Sequence, residues 1–287
     1  IICDYNYVFD PEVKLKRFFS GGNPGLGTYL FLVDEAHNLV ERGRQMYSAM
    51  LRKEDILKVK RLIKGRSKNL EAKLEICNRD FLQIKRQCDS CLILEELEQE
   101  ALHILNLYGA LDQFLKDYRN FQGREEVLEF YFEVAKFESV YESLNDKYRM
   151  YADYDREGNL CVHLACMDPS TELGKCLLMA RSSIFFSATL LPVQYYMEQL
   201  GGKEEDYAVY APSPFEEKKR LIMTVSDVST KYRRRTVEEY KKILSYIYEM
   251  VESKQGNYMI FFPSYEMMEK MRLLWEEMYE LPVLAQE

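Results

Sequence analysis

Apolar positions along this chain keep two different rhythms. In the middle, Val127, Phe130, Tyr131, Val134, Phe137, Tyr141, Leu144, Tyr148 and Tyr151 recur at steps of three or four with charges between them. That is the period of an α-helix with one buried face. Residues 53–66, 68–87 and 92–117 show similar spacing, and no proline interrupts 41–155, so the region predicts a bundle of long helices. On either side the apolar runs are short and end at polar residues or proline. Residues 29–33, 184–186, 207–210, 221–225 and 258–262 are rich in β-branched or aromatic side chains and predict strands. Helical stretches at 192–200, 236–253 and 264–280 follow several of them. Continuous apolar strands alternating with helices favour a parallel, buried sheet. The pattern therefore predicts an α/β protein whose parallel sheet is interrupted by an all-helical insertion.

Length and charge narrow the class. The chain has 287 residues, 47% of them hydrophobic, and a formal net charge of −8, enough for about two domains. Its longest apolar runs fall far short of the roughly 18 residues that a membrane span needs, so no membrane partner is expected. The opening "IICDYNYVFDPEVK" has no basic start and no small-residue cleavage site, unlike a secretory signal. It also lacks an initiator methionine, which suggests an interior piece of a longer chain. Seven cysteines without a framework of short spacings fit a reduced, cytoplasmic setting. The acidic balance argues only weakly against nucleic acid, because local patches decide such contact.

The chemistry concentrates in "GTYLFLVDEAHNLVE", residues 27–41, where an apolar strand runs into Asp34, Glu35, Ala36 and His37. In open α/β sheets ligands bind beyond the carboxyl ends of strands, and two carboxylates there suit a metal–nucleotide. Asp34 could hold Mg²⁺ through water, since that ion keeps much of its hydration shell. Glu35 could orient and deprotonate the water that attacks a γ-phosphate. His37 is placed to sense the phosphate. The plainer alternative is a strand end with acids ahead of a helix N-terminus, where they are favoured anyway.

"LVDEAHNLVERGRQMYSAML" resembles motif II of superfamily-two helicases, specifically the XPD/DinG group of DNA helicases. "IICDYNYVFDP" is similar to the segment ahead of that motif. "HLACMDPSTELGKCLLMARSSIFFSATLLPVQYYMEQLGG" resembles the stretch through motif III, with Ser187, Ala188 and Thr189 at its core. "YAPSPFEEKKRLIMTVSDVSTKYRRR" resembles the entry to a second motor domain, and "GNYMIFFPSYEMMEKM" is similar to motif IV. The resemblance implies two RecA-like parallel-sheet motor domains that bind ATP between them and single-stranded DNA across their tops. Residues 1–40 and 156–204 would belong to the first, 41–155 would be a helical arch-like insertion, and 205–287 would start the second. It further implies magnesium and water-activating roles for Asp34 and Glu35, with His37, Ser187, Ala188 and Thr189 coupling hydrolysis to DNA movement. Small hydroxyl residues suit such a point because they exchange hydrogen-bond partners cheaply. The implied activity is ATP-driven translocation and duplex unwinding, in DNA repair or recombination.

The pattern has gaps. "GGNPGLGT" imitates phosphate-loop spacing through Gly22, Gly27 and Thr28, but it lacks the lysine, and a strand follows where the helix should begin. It reads as a loop. The late helicase motifs are also missing, so this chain alone is expected to bind ATP poorly and hydrolyse almost none. Many members of the family carry an iron–sulfur cluster. The resemblance places that cluster's ligands ahead of the position matching Ile1, outside this segment, and Cys77, Cys88 and Cys91 are three where a cluster takes four thiolates. Cys88 and Cys91 read as structural or surface thiols on a helical stretch, and His103 and His163 as isolated packed or surface residues. Lys58, Arg61 and Lys64 lie in a basic run from Lys53 to Lys68 that fits a single-stranded-DNA track or a solvated helix face. Phe262 and Ser264, in the stretch similar to motif IV, are further candidate DNA contacts. Two readings compete with the motor: a DNA- or protein-interaction module derived from a helicase, and a metal-dependent hydrolase built on Asp34, Glu35 and His37 alone.

Overall fold

The structure, a computed structural model, describes residues 1–19, 27–279 and 281–285. The chain divides into two compact units, Ile1–Val209 and Tyr210–Glu287. The first opens with short helices α1 (Asn6–Phe9) and α2 (Lys16–Phe19), then β1 (Tyr29–Val33), α3 (His37–Met46) and β2 (Ala49–Arg52). Helices α4 (Lys53–Leu62) and α5 (Lys68–Gln87) lead to β3 (Cys91–Ile93), and α6 (Glu98–Asp117) and α7 (Arg124–Glu142) lead to β4 (Tyr148–Tyr154). Then come β5 (Leu160–Cys166), α8 (Ser170–Leu177), β6 (Ala180–Phe185) and α9 (Val193–Gln199). The second unit contains α10 (Val237–Ser253) and α11 (Tyr265–Met278).

Two sheets organise the first unit. β1 and β6 pair in parallel, with Leu32 opposite Ile184 and Val33 opposite Phe185. The other sheet is antiparallel, in the order β2-β5-β4-β3. Its inner face carries Leu51, Ala152, Leu160, Val162 and Leu164, all buried. These belong to one continuous core with Ile56, Leu74, Phe81, Leu107, Phe114 and Phe137 from α4–α7. Fully burying each of the Val, Leu, Ile and Phe side chains contributes about 1.5–3 kcal/mol. The same core reaches Val33, Ala36 and Leu39, so the strand end that carries the acids is anchored in it.

The molecule is a mixed helix–strand protein with a parallel strand pair and a large helical portion, as the periodicity predicts. Several details differ. The 41–155 stretch contains β2, β3 and all of β4 besides its helices. Tyr148 and Tyr151 continue the three-and-four spacing of α7 but sit on β4. The chain breaks at Asn145, whose side chain accepts the Lys147 N–H at 2.9 Å, and the β5 ladder then takes the backbone. The stretch 92–117 likewise begins in β3 before its helix starts at Glu98. The segments 207–210, 221–225 and 258–262 form no strand. An apolar run becomes a strand only where a neighbour takes its N–H and C=O groups, and among the described residues none does.

In the second unit hydroxyl side chains cap the helix starts. Thr236 accepts the Glu239 N–H at 3.2 Å, and Ser264 accepts the Met267 N–H at 3.3 Å, each satisfying an orphan donor. The two helices bury Tyr240, Leu244, Met267, Met271 and Trp275 against each other.

Candidate functional site

The parallel ladder does not stop where β1 and β6 end. The Phe186 N–H donates to the Val33 carbonyl at 3.0 Å, and the Ala36 N–H donates to the Phe186 carbonyl at 3.2 Å. These bonds tie the turn after β1 to the turn after β6. They bring residues 34–37 beside residues 187–189 across about 150 positions of chain.

Asp34 and Glu35 are both exposed. The Glu35 N–H donates to Asp34 Oδ1 at 2.8 Å. Glu35 has φ = +46°, the one non-glycine positive φ among the described residues. Such a conformation costs a side-chain-bearing residue about 1–2 kcal/mol, and strain of this kind clusters at functional sites. Ala36 is fully buried beneath the turn, which lets the chain enter α3 at His37.

Ser187 is the hub. Its hydroxyl donates to Glu35 Oε2 at 3.1 Å, its oxygen lies 2.7 Å from His37 Nδ1, and it accepts the Thr189 N–H at 3.3 Å. A serine has one proton and an ionised carboxylate has none. If that proton goes to Glu35, His37 must donate, so it carries its hydrogen on Nδ1 and leaves Nε2 free of this network. His37 Nδ1 also lies 3.3 Å from Glu35 Oε2. Thr189 and Ala188 are exposed beside the hub, with Thr189 Oγ1 at 3.4 Å from the Ser187 oxygen.

The other sequence candidates have surroundings of their own. Lys58, Arg61 and Lys64 are exposed, but Lys58 rims a small hollow shared with Asp55, Glu126, Glu129 and Glu133. Burial raises the Glu133 pKa, Asp55 adds to the effect, and Arg52 and Lys58 oppose it. Part of the Lys58 charge is thus directed at carboxylates. Phe262 packs against the core of the second unit. Ser264 caps α11 and accepts from Arg235 Nη1 at 3.3 Å. Of the phosphate-loop imitation, Gly22 lies outside the described residues, while Gly27 donates its N–H to the Met179 carbonyl at 2.9 Å. Cys88 and Cys91 do not share a helix: Cys88 closes α5, and Cys91 opens β3, because the chain turns out of the helix between them.

One residue of the site region escaped sequence reasoning. Arg44 on α3 donates from Nε to the Met167 carbonyl at 3.0 Å, and from Nη2 to Tyr195 at 3.2 Å and Gln199 at 3.1 Å. It clamps the helix that bears His37 against α9, which follows the Ser187 turn. The available signal was its spacing, seven positions after His37 and so on the same helix face.

No family model matches the chain. The chain is similar to a solved structure titled "Structure of S. tokodaii Xpd4", with 16% sequence identity and a TM-score of 0.46, over 94% of this chain and 55% of that one. It spans about half the length of that structure. A likeness of this size leaves the reading to the residues themselves. Among the described residues no helix is long and apolar enough to cross a membrane.

Proposed function

We propose that the chain carries the water-activating acid and the coupling turn of an ATP-dependent DNA helicase, which moves on single-stranded DNA and unwinds duplex in the cytoplasm, in repair or recombination. The observation that carries this is the Ser187 hydroxyl, bonded to Glu35 at 3.1 Å and lying 2.7 Å from His37 Nδ1. A general base and a polar relay from a distant strand meet at the carboxyl ends of a parallel pair, where α/β proteins place their ligands.

In this reading Glu35 accepts the proton of the attacking water through Oε1, the oxygen outside the Ser187 bond. Asp34 is exposed and keeps Oδ2 outside its turn bond, a hard oxygen donor that suits hydrated Mg²⁺. When bound there, the ion supplies positive charge against the phosphates. Ser187 occupies a lone pair of Glu35 Oε2 while it donates to it. A shift of its proton to another acceptor frees the carboxylate and at the same time alters the bond to His37. That exchange of partners couples the acid to the turn after β6. Lys58, Arg61, Lys64, Phe262 and Ser264 remain the proposed DNA contacts, and ATP is the proposed fuel.

The test is ATP turnover by the intact protein with and without single-stranded DNA. Glu35→Gln should retain nucleotide binding and lower DNA-stimulated turnover by roughly 100-fold or more, since the amide cannot take the proton and general-base catalysis is worth about 10²–10⁴. Turnover by that variant at the unaltered rate would remove Glu35 from the reaction and the helicase reading with it.

A further inference from the structure

The outer face of the antiparallel sheet carries a second group of chemically able side chains, on the side of the sheet away from the helices. Asp153 on β4 stands opposite Cys161 on β5, and Tyr151 opposite His163. Because side chains alternate along a strand, Cys161 and His163 share a face, and register adds Asp153 to it. The carboxylate, thiol and imidazole ligand atoms all lie within 4.8 Å of one another. His163 Nε2 is 2.8 Å from Asp153 Oδ1. The imidazole lies flat on the Tyr151 ring, with centroids 4.5 Å apart and planes 8° from parallel, so its orientation is held from one side. Cys161 is buried at 3% exposure. Exposed Cys91 faces Asp153 from the other side, on edge strand β3.

From this geometry we propose that Asp153, Cys161 and His163 form a binding site for a borderline-soft divalent cation, zinc being the ion to test. The donor set is one sulfur, one nitrogen and one oxygen, the combination that zinc takes and that magnesium or calcium does not. A tetrahedral ion with bonds of about 2.0–2.3 Å holds its donors roughly 3.5 Å apart. Closing the site therefore asks for side-chain rotations on the order of 1 Å, with no movement of the strands. Zinc displaces the Cys161 thiol proton to solvent as the metal–sulfur bond forms, and the ion's own charge stabilises the thiolate. His163 binds through Nε2, which gives up its contact with Asp153, and the carboxylate turns to the ion. The fourth position faces solvent, where Cys91 is the adjacent further donor.

The bound ion would cross-link β4 to β5 on the face that the hydrophobic core does not reach. The neighbouring charges are mixed. Burial, with Asp155 nearby, pushes the Cys161 thiol pKa up, while Arg52, opposite it on β2, favours thiolate but opposes a cation. The sequence hides the site because Cys161-x-His163 is too short to suggest a metal motif and its third member comes from another strand. This inference is independent of the helicase reading.

The experiment titrates zinc alone into the chelator-treated 287-residue chain by calorimetry, and cobalt as a spectroscopic probe of thiolate ligation. A single zinc ion should bind per chain, and cobalt should give a near-ultraviolet thiolate band. Cys161→Ser and His163→Gln should each weaken zinc binding by about 100-fold or more, and Cys161→Ser should abolish the cobalt band. Cys3→Ser, at an exposed thiol elsewhere, should change neither. Circular dichroism checks that each variant folds, and Asp153→Asn replaces any that does not. Absence of zinc binding, or binding equally tight in Cys161→Ser and His163→Gln, would show that the trio is only a cross-strand polar contact and overturn the proposal.

Discussion

Glu35 occupies a backbone conformation that most residues avoid, and its carboxylate is the chemical centre of the candidate site. These two facts allow conformation and chemistry to be separated. Glu35→Gly and Glu35→Ala both delete the carboxylate and its bond to Ser187, so they share that loss. They differ in the backbone. At φ = +46° alanine keeps a penalty of about 1–2 kcal/mol that glycine escapes. Glycine gives back about 0.4–1 kcal/mol through its freer unfolded chain. Glu35→Gly should therefore be more stable than Glu35→Ala by roughly 0.5–1 kcal/mol, read as a shift in denaturant midpoint at constant slope. That order reverses the usual preference for alanine. Equal stabilities would mean the turn relaxes once the carboxylate is gone, and that the Ser187 contact rather than the buried Ala36 holds it.

At the scale of elements, two glycines with different surroundings test how the packing is built. Gly109 lies inside α6 with open space where a Cβ would stand. Glycine within a helix is about 0.5–1 kcal/mol worse than alanine, so Gly109→Ala should raise stability by that amount. Gly201 follows α9 at φ = +79°, and a Cβ there would stand 2.7 Å from the Ser170 carbonyl oxygen and 2.9 Å from the backbone of Gly174. Backbone cannot swing aside as a flexible side chain can, so Gly201→Ala should destabilise by more than about 1 kcal/mol. Thermal or chemical denaturation of the pair should move in opposite directions. The elements also show what the sequence made legible. Helices α5, α10 and α11 were readable as helical stretches between loop signals, and strand β1 as a short apolar run that ends at polar residues. The acids at the end of β1 and the Ser187 turn were readable as local motifs. The network joining them was not, since it depends on the register between β1 and β6. The β2-β5-β4-β3 sheet was missed for the same reason: Tyr148 and Tyr151 fit a helical period, and only pairing with β5 decides against it. The trio of Asp153, Cys161 and His163 follows from that unseen register.

For the molecule as a whole, the two units have cores of very different size. The Ile1–Val209 unit rests on a cluster that runs from Phe9 to Leu200, whereas among the described residues the Tyr210–Glu287 unit buries only Tyr240, Leu244, Met267, Met271 and Trp275. The fraction of surface buried falls with the size of a folding unit, and small units are correspondingly marginal. The sequence contains a single tryptophan, and it is Trp275, buried in the smaller core with its Nε1–H donated to the Leu281 carbonyl at 3.1 Å. Tryptophan emission therefore reports on the smaller unit alone, while far-ultraviolet circular dichroism is dominated by the helices of the larger one. On urea titration the emission midpoint should come at a lower concentration than the circular dichroism midpoint, with a shallower slope because less surface is exposed. Met271→Ala, which empties part of the small core, should cost about 2–5 kcal/mol there. It should move the emission transition further down while leaving the main circular dichroism transition in place. Coincident transitions that shift together in Met271→Ala would show one cooperative unit where the separate cores predict two.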